Sequence, residues 1–289
     1  LYYDKFKKNF LQEAELRNLS SRTIESYWWH INDYYNFHKK DPVSTGIEEL
    51  RTYFQSMLTD GAHKPGSVKM GYYALRFLFV NVYHKEWAKE YLPTPKVAKT
   101  LPLVLGQDEV FDVLGAIKNF KHRTAIMFIY STGARVSECV NIRLTDIDSN
   151  RMQVNIQEGK GLKQRKVPLS PILLKTLRRY YKKHKPQYYL FEGAGGKGTH
   201  IGVSAIREIC RKARYKTPHI NKRYTPHTFR HTYATHLLEQ GTNLLVIQRL
   251  MGHSNLGNTL KYLHVQKLAL DQVVNPLDEL NGVEGLCRK

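Results

Sequence analysis

Cysteine is scarce. Cys139, Cys210 and Cys287 are the three in 289 residues, and none forms a CxxC pair. This argues against a disulfide framework or a cysteine zinc site and fits a reducing cytoplasm. Acids are outnumbered, with 25 Asp and Glu against 45 Lys and Arg, for a formal charge of +20 and a pI near 9.7. A surplus of that size points to a polyanionic partner. No apolar run approaches the roughly 18 residues of a membrane span, so no membrane partner is expected. Internal repeats are absent, nothing resembles a signal peptide, and the chain opens on Leu1 rather than Met. What remains is 42% hydrophobic and 24% charged. That suits a globular core in two modest domains or one large one.

The first ninety residues carry helical patterns only. "TIESYWWHINDYYNFHKK" places Ile24, Tyr27, Trp28, Ile31 and Tyr35 on one stripe. "TGIEELRTYFQSMLTDG" opens on a Thr45–Glu48 capping box and turns Ile47, Leu50, Phe54, Met57 and Leu58 inward. "SVKMGYYALRFLFVNVYHK" and a short helix at "EWAKEYL" complete a predicted four-helix bundle over residues 1–92. Three prolines and two lysines in "LPTPKVAKTLPLVL" predict an extended basic linker, residues 93–105. The rest, 106–289, is mostly helical. It contains one hairpin, with Met152, Val154 and Ile156 alternating before a Gly-Lys-Gly bend at Lys160. The last amphipathic run spans about Val265 to Leu280.

The chemistry is concentrated in "RYTPHTFRHTYATHLLEQG". Thr225 is the expected N-cap, Pro226 suits the first helical position and Gly241 the far end, with Phe229, Tyr233, Leu237 and Leu238 on one face. Yet His227, Arg230 and His231 crowd the first turns, where the helix dipole favours anions over cations. At i, i+3 and i+4, with free backbone N–H groups nearby, they make a phosphate site. His at i and i+4 is also zincin spacing. However, Thr228 stands where the HExxH glutamate belongs and an arginine lies between the imidazoles, so no metal is expected. "STGARVSECV" repeats the oddity, with Arg135 at a helix start and Glu138 one turn on to hold it. "QRLMGHSNLGNTLKYLHV" offers His253 after a helix-ending glycine and Tyr262 nine residues later. "GAGGKGT" lacks the GxxxxGK[ST] spacing of a nucleotide loop.

In chain order, "TGARVSE", "GKGLKQRKVPL", "PHTFRHTYATHLL", "LMGHS" and "TLKYLHV" closely resemble the tyrosine recombinases, the lambda-integrase superfamily, and most of all its Xer and integron-integrase branch. The resemblance covers nearly the whole chain. It implies a mostly α fold with a small β-sheet, made of an N-terminal four-helix, SAM-like core-binding bundle and a catalytic domain that close on DNA as a C-shaped clamp. The implied activity is site-specific recombination of duplex DNA through a 3′-phosphotyrosyl intermediate, without a cofactor. The implied assembly is a homodimer on each site and a homotetramer in the synapse, with the C-terminal helix exchanged between protomers.

Residue by residue, the resemblance makes Tyr262 the nucleophile and Arg135 and Arg230 the clamp on the non-bridging oxygens. Lys160 becomes the general acid, while His227 and His253 complete the pocket. Glu138 orients the first arginine, and His231 stands beside the motif in a supporting place. "GAR" stands where "GLR" is common in the family. No long inserted helix precedes "TPHTFRH", which favours ordinary duplex sites over folded single strands. Charge and helix starts suggest Arg22, Lys64, Ser67, Lys69, Lys99, Arg207, Arg211 and Lys222 as phosphate contacts. Two alternatives are a DNA-binding relative without strand exchange and a type IB topoisomerase-like relaxing enzyme, which would use the same pocket.

Overall fold

The computed structural model describes residues 2–59, 63–98, 101–157, 164–196 and 198–263. The chain divides into two compact units, Leu1–Thr100 and Leu101–Lys289.

The first unit is built from α1 (Tyr2–Leu16), α2 (Ser21–His38), α3 (Ile47–Thr59) and α4 (Pro65–Phe77). The expected helix at "EWAKEYL" does not form; residues 84–98 carry no helix, and α1 is the fourth member of the bundle. The reason is local. α4 unwinds through a π turn, Leu78–Val82, and His84 takes a left-handed conformation (φ 54°). Trp87 then lays its ring edge-on to Tyr72, 5.2 Å between centroids, and donates Nε1–H to the Tyr72 hydroxyl at 2.9 Å. One part-buried aromatic contact of that kind, with its hydrogen bond, outweighs the weak helix preference of seven residues. In α1, Phe6, Phe10 and Ala14 recur every four residues and are buried.

Two further details differ from expectation. The inner stripe of α2 centres on His30, Ile31 and Tyr34 rather than on Tyr35, because the Tyr34 hydroxyl reaches Thr45 Oγ1 at 2.8 Å. Thr45 therefore does not cap α3. Gly46 does, its N–H donating to Glu49 Oε2 at 2.9 Å, and α3 turns Tyr53 inward while Leu58 faces solvent.

The second unit runs α5 (Gln107–Ala116), α6 (Phe120–Thr132), α7 (Val136–Asn141), then an antiparallel sheet, then α8 (Pro171–His184), α9 (Val203–Lys216), α10 (Pro226–Glu239), α11 (Leu244–Met251) and α12 (Gly257–Leu260). The sheet order is β1 (Ile147–Asp148), β2 (Gln153–Ile156), β3 (Arg165–Pro168). β1 is a two-residue strand that no alternation announces. Met152 is not in the hairpin but in a turn at φ 52°, so inward alternation begins at Val154. Val154 pairs with Val167, and Ile156 with Arg165. Pairing in register thus sends an arginine into the same buried face as three aliphatic residues, Val154, Ile156 and Val167. Lys160 and the run from Val265 to Leu280 lie outside the described residues.

α10 is no surface helix. Ten of its residues, from Pro226 to Leu238, are buried, and it packs on α6 and α11. Its close partner is Gly133, which ends α6 at φ 62°. A Cβ there would stand 2.5 Å from the Tyr233 ring. Gly133→Ala is expected to cost about 2–4 kcal/mol through left-handed strain and overpacking, read as a lowered urea midpoint. A midpoint equal to the parent's would refute this packing.

Candidate active site

Arg135 is the N-cap of α7, two residues beyond the glycine that lets α6 turn. Glu138, at the third helical position, accepts the Arg135 backbone N–H at 2.6 Å on Oε2 and its Nη1–H at 2.7 Å on Oε1. A carboxylate in the first helical turn is favoured by the helix dipole, and here it also fixes the guanidinium. Burial alone would raise the Glu138 carboxyl, but the hydrogen bonds and charges of Arg165 and Arg135 hold it at about 2.

Arg230 projects from α10 and is 4% exposed. It donates to the carbonyls of Gly133 and Met251 and stands 3.8 Å from Glu138 Oε2. Both carbonyls end helices, where the negative pole of the dipole suits a cation. α11 closes on Gly252 in the left-handed region (φ 62°), and the His253 N–H returns to Gln248 O at 3.1 Å. Arg135 Nη2 donates to Gly252 O at 2.9 Å. Burial, then the charge of Arg135, lowers Arg230 to about 10, so it stays protonated at neutral pH.

Tyr262 follows α12 and is 0% exposed, seated among Tyr233, Ala234, Leu238, Ile247 and Met251. Its hydroxyl lies 2.9 Å from His231 Nδ1. The His253 ring lies nearly parallel to it, 11° between planes at 6.4 Å, with Nδ1 held 2.9 Å from Thr259 Oγ1. Burial pushes the phenol up to about 12, with Arg230 pulling the other way. Burial and surrounding cations push His231 down to about 4 and His253 to about 3. A protonated phenol therefore faces a neutral imidazole, which accepts its proton in the Nε2–H tautomer. No part of Tyr262 meets solvent in this structure.

The remaining expected residues are placed less centrally. His227 is exposed, its pKa lowered by burial of part of the ring and by Arg230, Arg207 and Arg135. It lines a cleft of about 450 Å³ with Arg207, Arg211, Arg214 and Arg223. Arg211 forks onto Glu208 at 2.6 and 2.7 Å, and Lys222 pairs with Glu109 at 2.5 Å, so each is engaged by a carboxylate of its own unit. In the first unit Arg22 and Lys64 are exposed, and Ser67 and Lys69 are partly so. Lys99, like Lys160, is outside the described residues. Cys139 and Cys210 are buried and unpaired. Among the described residues no cluster of three His, Cys, Asp or Glu could hold a metal, and no helix is long and apolar enough to cross a membrane.

Two residues outside the expected set belong to the site. Lys261 places its ammonium 5.3 Å from the Tyr262 ring centroid. Arg165, inward on β3, forks onto Glu138 at 2.8 and 2.6 Å.

Two guanidinium groups, a neutral imidazole and a phenol are thus gathered around the end of α11. Comparison with known proteins gives the class. Residues 104–268 match the phage integrase family, and residues 6–89 match that family's N-terminal SAM-like domain. A putative integrase/recombinase of Sinorhizobium fredii, y4qK, is 36% identical over 260 residues, covering 90% of this chain and 84% of the relative. The tyrosine recombinase XerA of Pyrococcus horikoshii is 28% identical over 280 residues, covering 96% and 95%. Among solved structures, a lambda integrase (75–356) dimer bound to a COC′ core site superposes with a TM-score of 0.75 at 17% identity, over 94% of this chain and 98% of that one. The chain belongs to the phage integrase family. It is a tyrosine site-specific recombinase.

Proposed function

We propose that this chain recombines paired sites in duplex DNA with Tyr262 as nucleophile. Tyr262 Oη bonds to phosphorus as the bond to the 5′ oxygen breaks, giving a 3′-phosphotyrosyl link and a free 5′-hydroxyl. The phenolic proton passes to His231, and Lys160 supplies one to the leaving oxygen. Arg135 and Arg230 take the non-bridging oxygens, where the transition state gathers charge. His253 stacks on the phenol, and His227 stands at the rim. Because the link keeps the ester's energy, a 5′-hydroxyl from the partner duplex reverses the step without a nucleotide cofactor. Two protomers occupy each site, four form the synapse, and the linker at 93–105 lets the units close around DNA in the cytoplasm.

The observation that carries this reading is the convergence of Arg135, Arg230 and the His231–Tyr262 pair around the end of α11. The test uses a nicked duplex selected by covalent capture from a random-sequence pool. The expected product is a protein–DNA adduct on a denaturing gel whose modified peptide contains Tyr262. An adduct elsewhere, or none, ends the proposal. Two such sites on one plasmid then separate exchange from mere relaxation.

The phosphate contacts proposed are Arg22, Lys64, Ser67, Lys69, Lys99, Arg207, Arg211 and Lys222. With six or more engaged, affinity should fall about 10³-fold or more between roughly 50 and 200 mM salt. A flat titration by fluorescence anisotropy would remove the electrostatic part of the reading.

A further inference from the structure

Arg165 has no part in the chemistry above, yet it is firmly engaged beside Glu138. Its Nη1 and Nη2 take both carboxylate oxygens, at 2.8 and 2.6 Å, and its Nε donates to Leu250 O at 2.8 Å. Its side chain is 8% exposed, against 34% for Arg135. It is thus in no position to meet a DNA phosphate itself.

Three arginines and one carboxylate share this cluster, a formal +2. They also divide the end of α11 among them: Leu250 O accepts from Arg165, Met251 O from Arg230, Gly252 O from Arg135. We propose that Arg165 is a positioning residue that offsets the charge of Glu138 and pins the end of α11, so that the cluster keeps a formal +2 to meet the scissile phosphate. The inference rests on the recombinase reading above.

The argument is one of charge. Glu138 holds the Arg135 backbone and guanidinium through its oxygens, but a bare carboxylate 2.7 Å from Arg135 and 3.8 Å from Arg230 would cancel much of their pull on an anion. A third guanidinium, bidentate and buried, offsets that negative charge while keeping both oxygens in place. The planar fork matters: a lysine in its place retains the charge but cannot hold two oxygens and a carbonyl at once.

The test compares two substrates, the captured nicked duplex and the same duplex with a neutral methylphosphonate at the scissile linkage. Arg165→Met should slow adduct formation about 10²-fold on the phosphodiester and less than about tenfold on the methylphosphonate, since the latter has lost the charge being stabilised. Arg165→Lys should fall between. Adding Glu138→Gln to Arg165→Met should recover roughly tenfold, because it removes the carboxylate left unbalanced. A merely structural role would slow both substrates equally, and that result overturns the proposal.

A second arm needs no recombination site. Orthovanadate should raise the melting temperature of the parent chain but not of Arg135→Gln or Arg165→Met. Equal shifts in parent and Arg165→Met would overturn the charge argument even if the adduct forms. If the parent gives no adduct while the vanadate shifts follow expectation, it is the recombinase reading that fails and the assignment of Arg165 that stands.

Discussion

Tyr262→Phe is expected to abolish the covalent adduct, below about one part in 10⁴ of the parent rate, while leaving fold and DNA affinity unchanged. The phenolic oxygen is the only atom the substitution removes. In this structure it makes one described hydrogen bond, to His231 Nδ1 at 2.9 Å, while its ring packs among Tyr233, Leu238, Ile247 and Met251 with the His253 ring alongside. Losing that bond leaves one imidazole nitrogen to be rehydrated or to change tautomer. Against this, a phenylalanine ring suits Leu238, Ile247 and Met251 at least as well as a phenol does. The two effects are each about 1 kcal/mol and opposed, so the melting temperature should move by a few degrees at most. Adduct formation and melting are to be measured on the same preparation, with anisotropy for DNA binding. Residual adduct at the parent rate would show that another nucleophile acts, and Tyr262 would become a packing residue.

How much of this could be seen in advance differs from residue to residue, for physical reasons. The contact between Arg135 and Glu138 follows from spacing alone, since an N-cap and the third helical residue face one another in any helix. The same holds for the Thr225 cap, whose N–H meets Thr228 Oγ1 at 2.9 Å. Arg165 was invisible for the opposite reason. It sits in "KQRKV", four polar residues in a row that hide the strand's alternation, and its partner lies 27 residues away on a helix. Inward charge on a strand is legible only when its counter-charge is known. His231 carried a readable signal, one residue after Arg230, but which way it faced depended on where α12 delivers Tyr262. In the first unit the Phe6, Phe10, Ala14 spacing goes unread and "EWAKEYL" stands as the expected fourth helix instead, where the helix is lost because Trp87 finds Tyr72. Local rules therefore recovered contacts within a turn, and tertiary packing decided the rest.

Arg230→Gln should slow adduct formation about 10³-fold or more with only a small loss of stability. The two halves of that expectation come from different terms. Arg230 is buried and 3.8 Å from Glu138, but Glu138 keeps its closer partners, Arg165 and Arg135, so the substitution strands no carboxylate. Glutamine retains one donor amide for the Gly133 or Met251 carbonyl. What it discards is a cation whose burial and proximity to Arg135 already work against its charge, as its lowered pKa of about 10 records. Removing an opposed charge returns part of what the lost hydrogen bonds cost, and the net should be about 1–2 kcal/mol. Catalysis has no such offset. On the proposed mechanism the transition state places its charge against Arg230 and Arg135, and a neutral amide supplies neither the charge nor the fork. The comparison is again adduct rate against melting temperature, with the methylphosphonate duplex as the informative substrate. On it the variant should lose far less than on the phosphodiester. A collapse in stability with a proportionate loss on both substrates would mean that Arg230 is held in the core to join α6 to α11, and that the anion is met elsewhere.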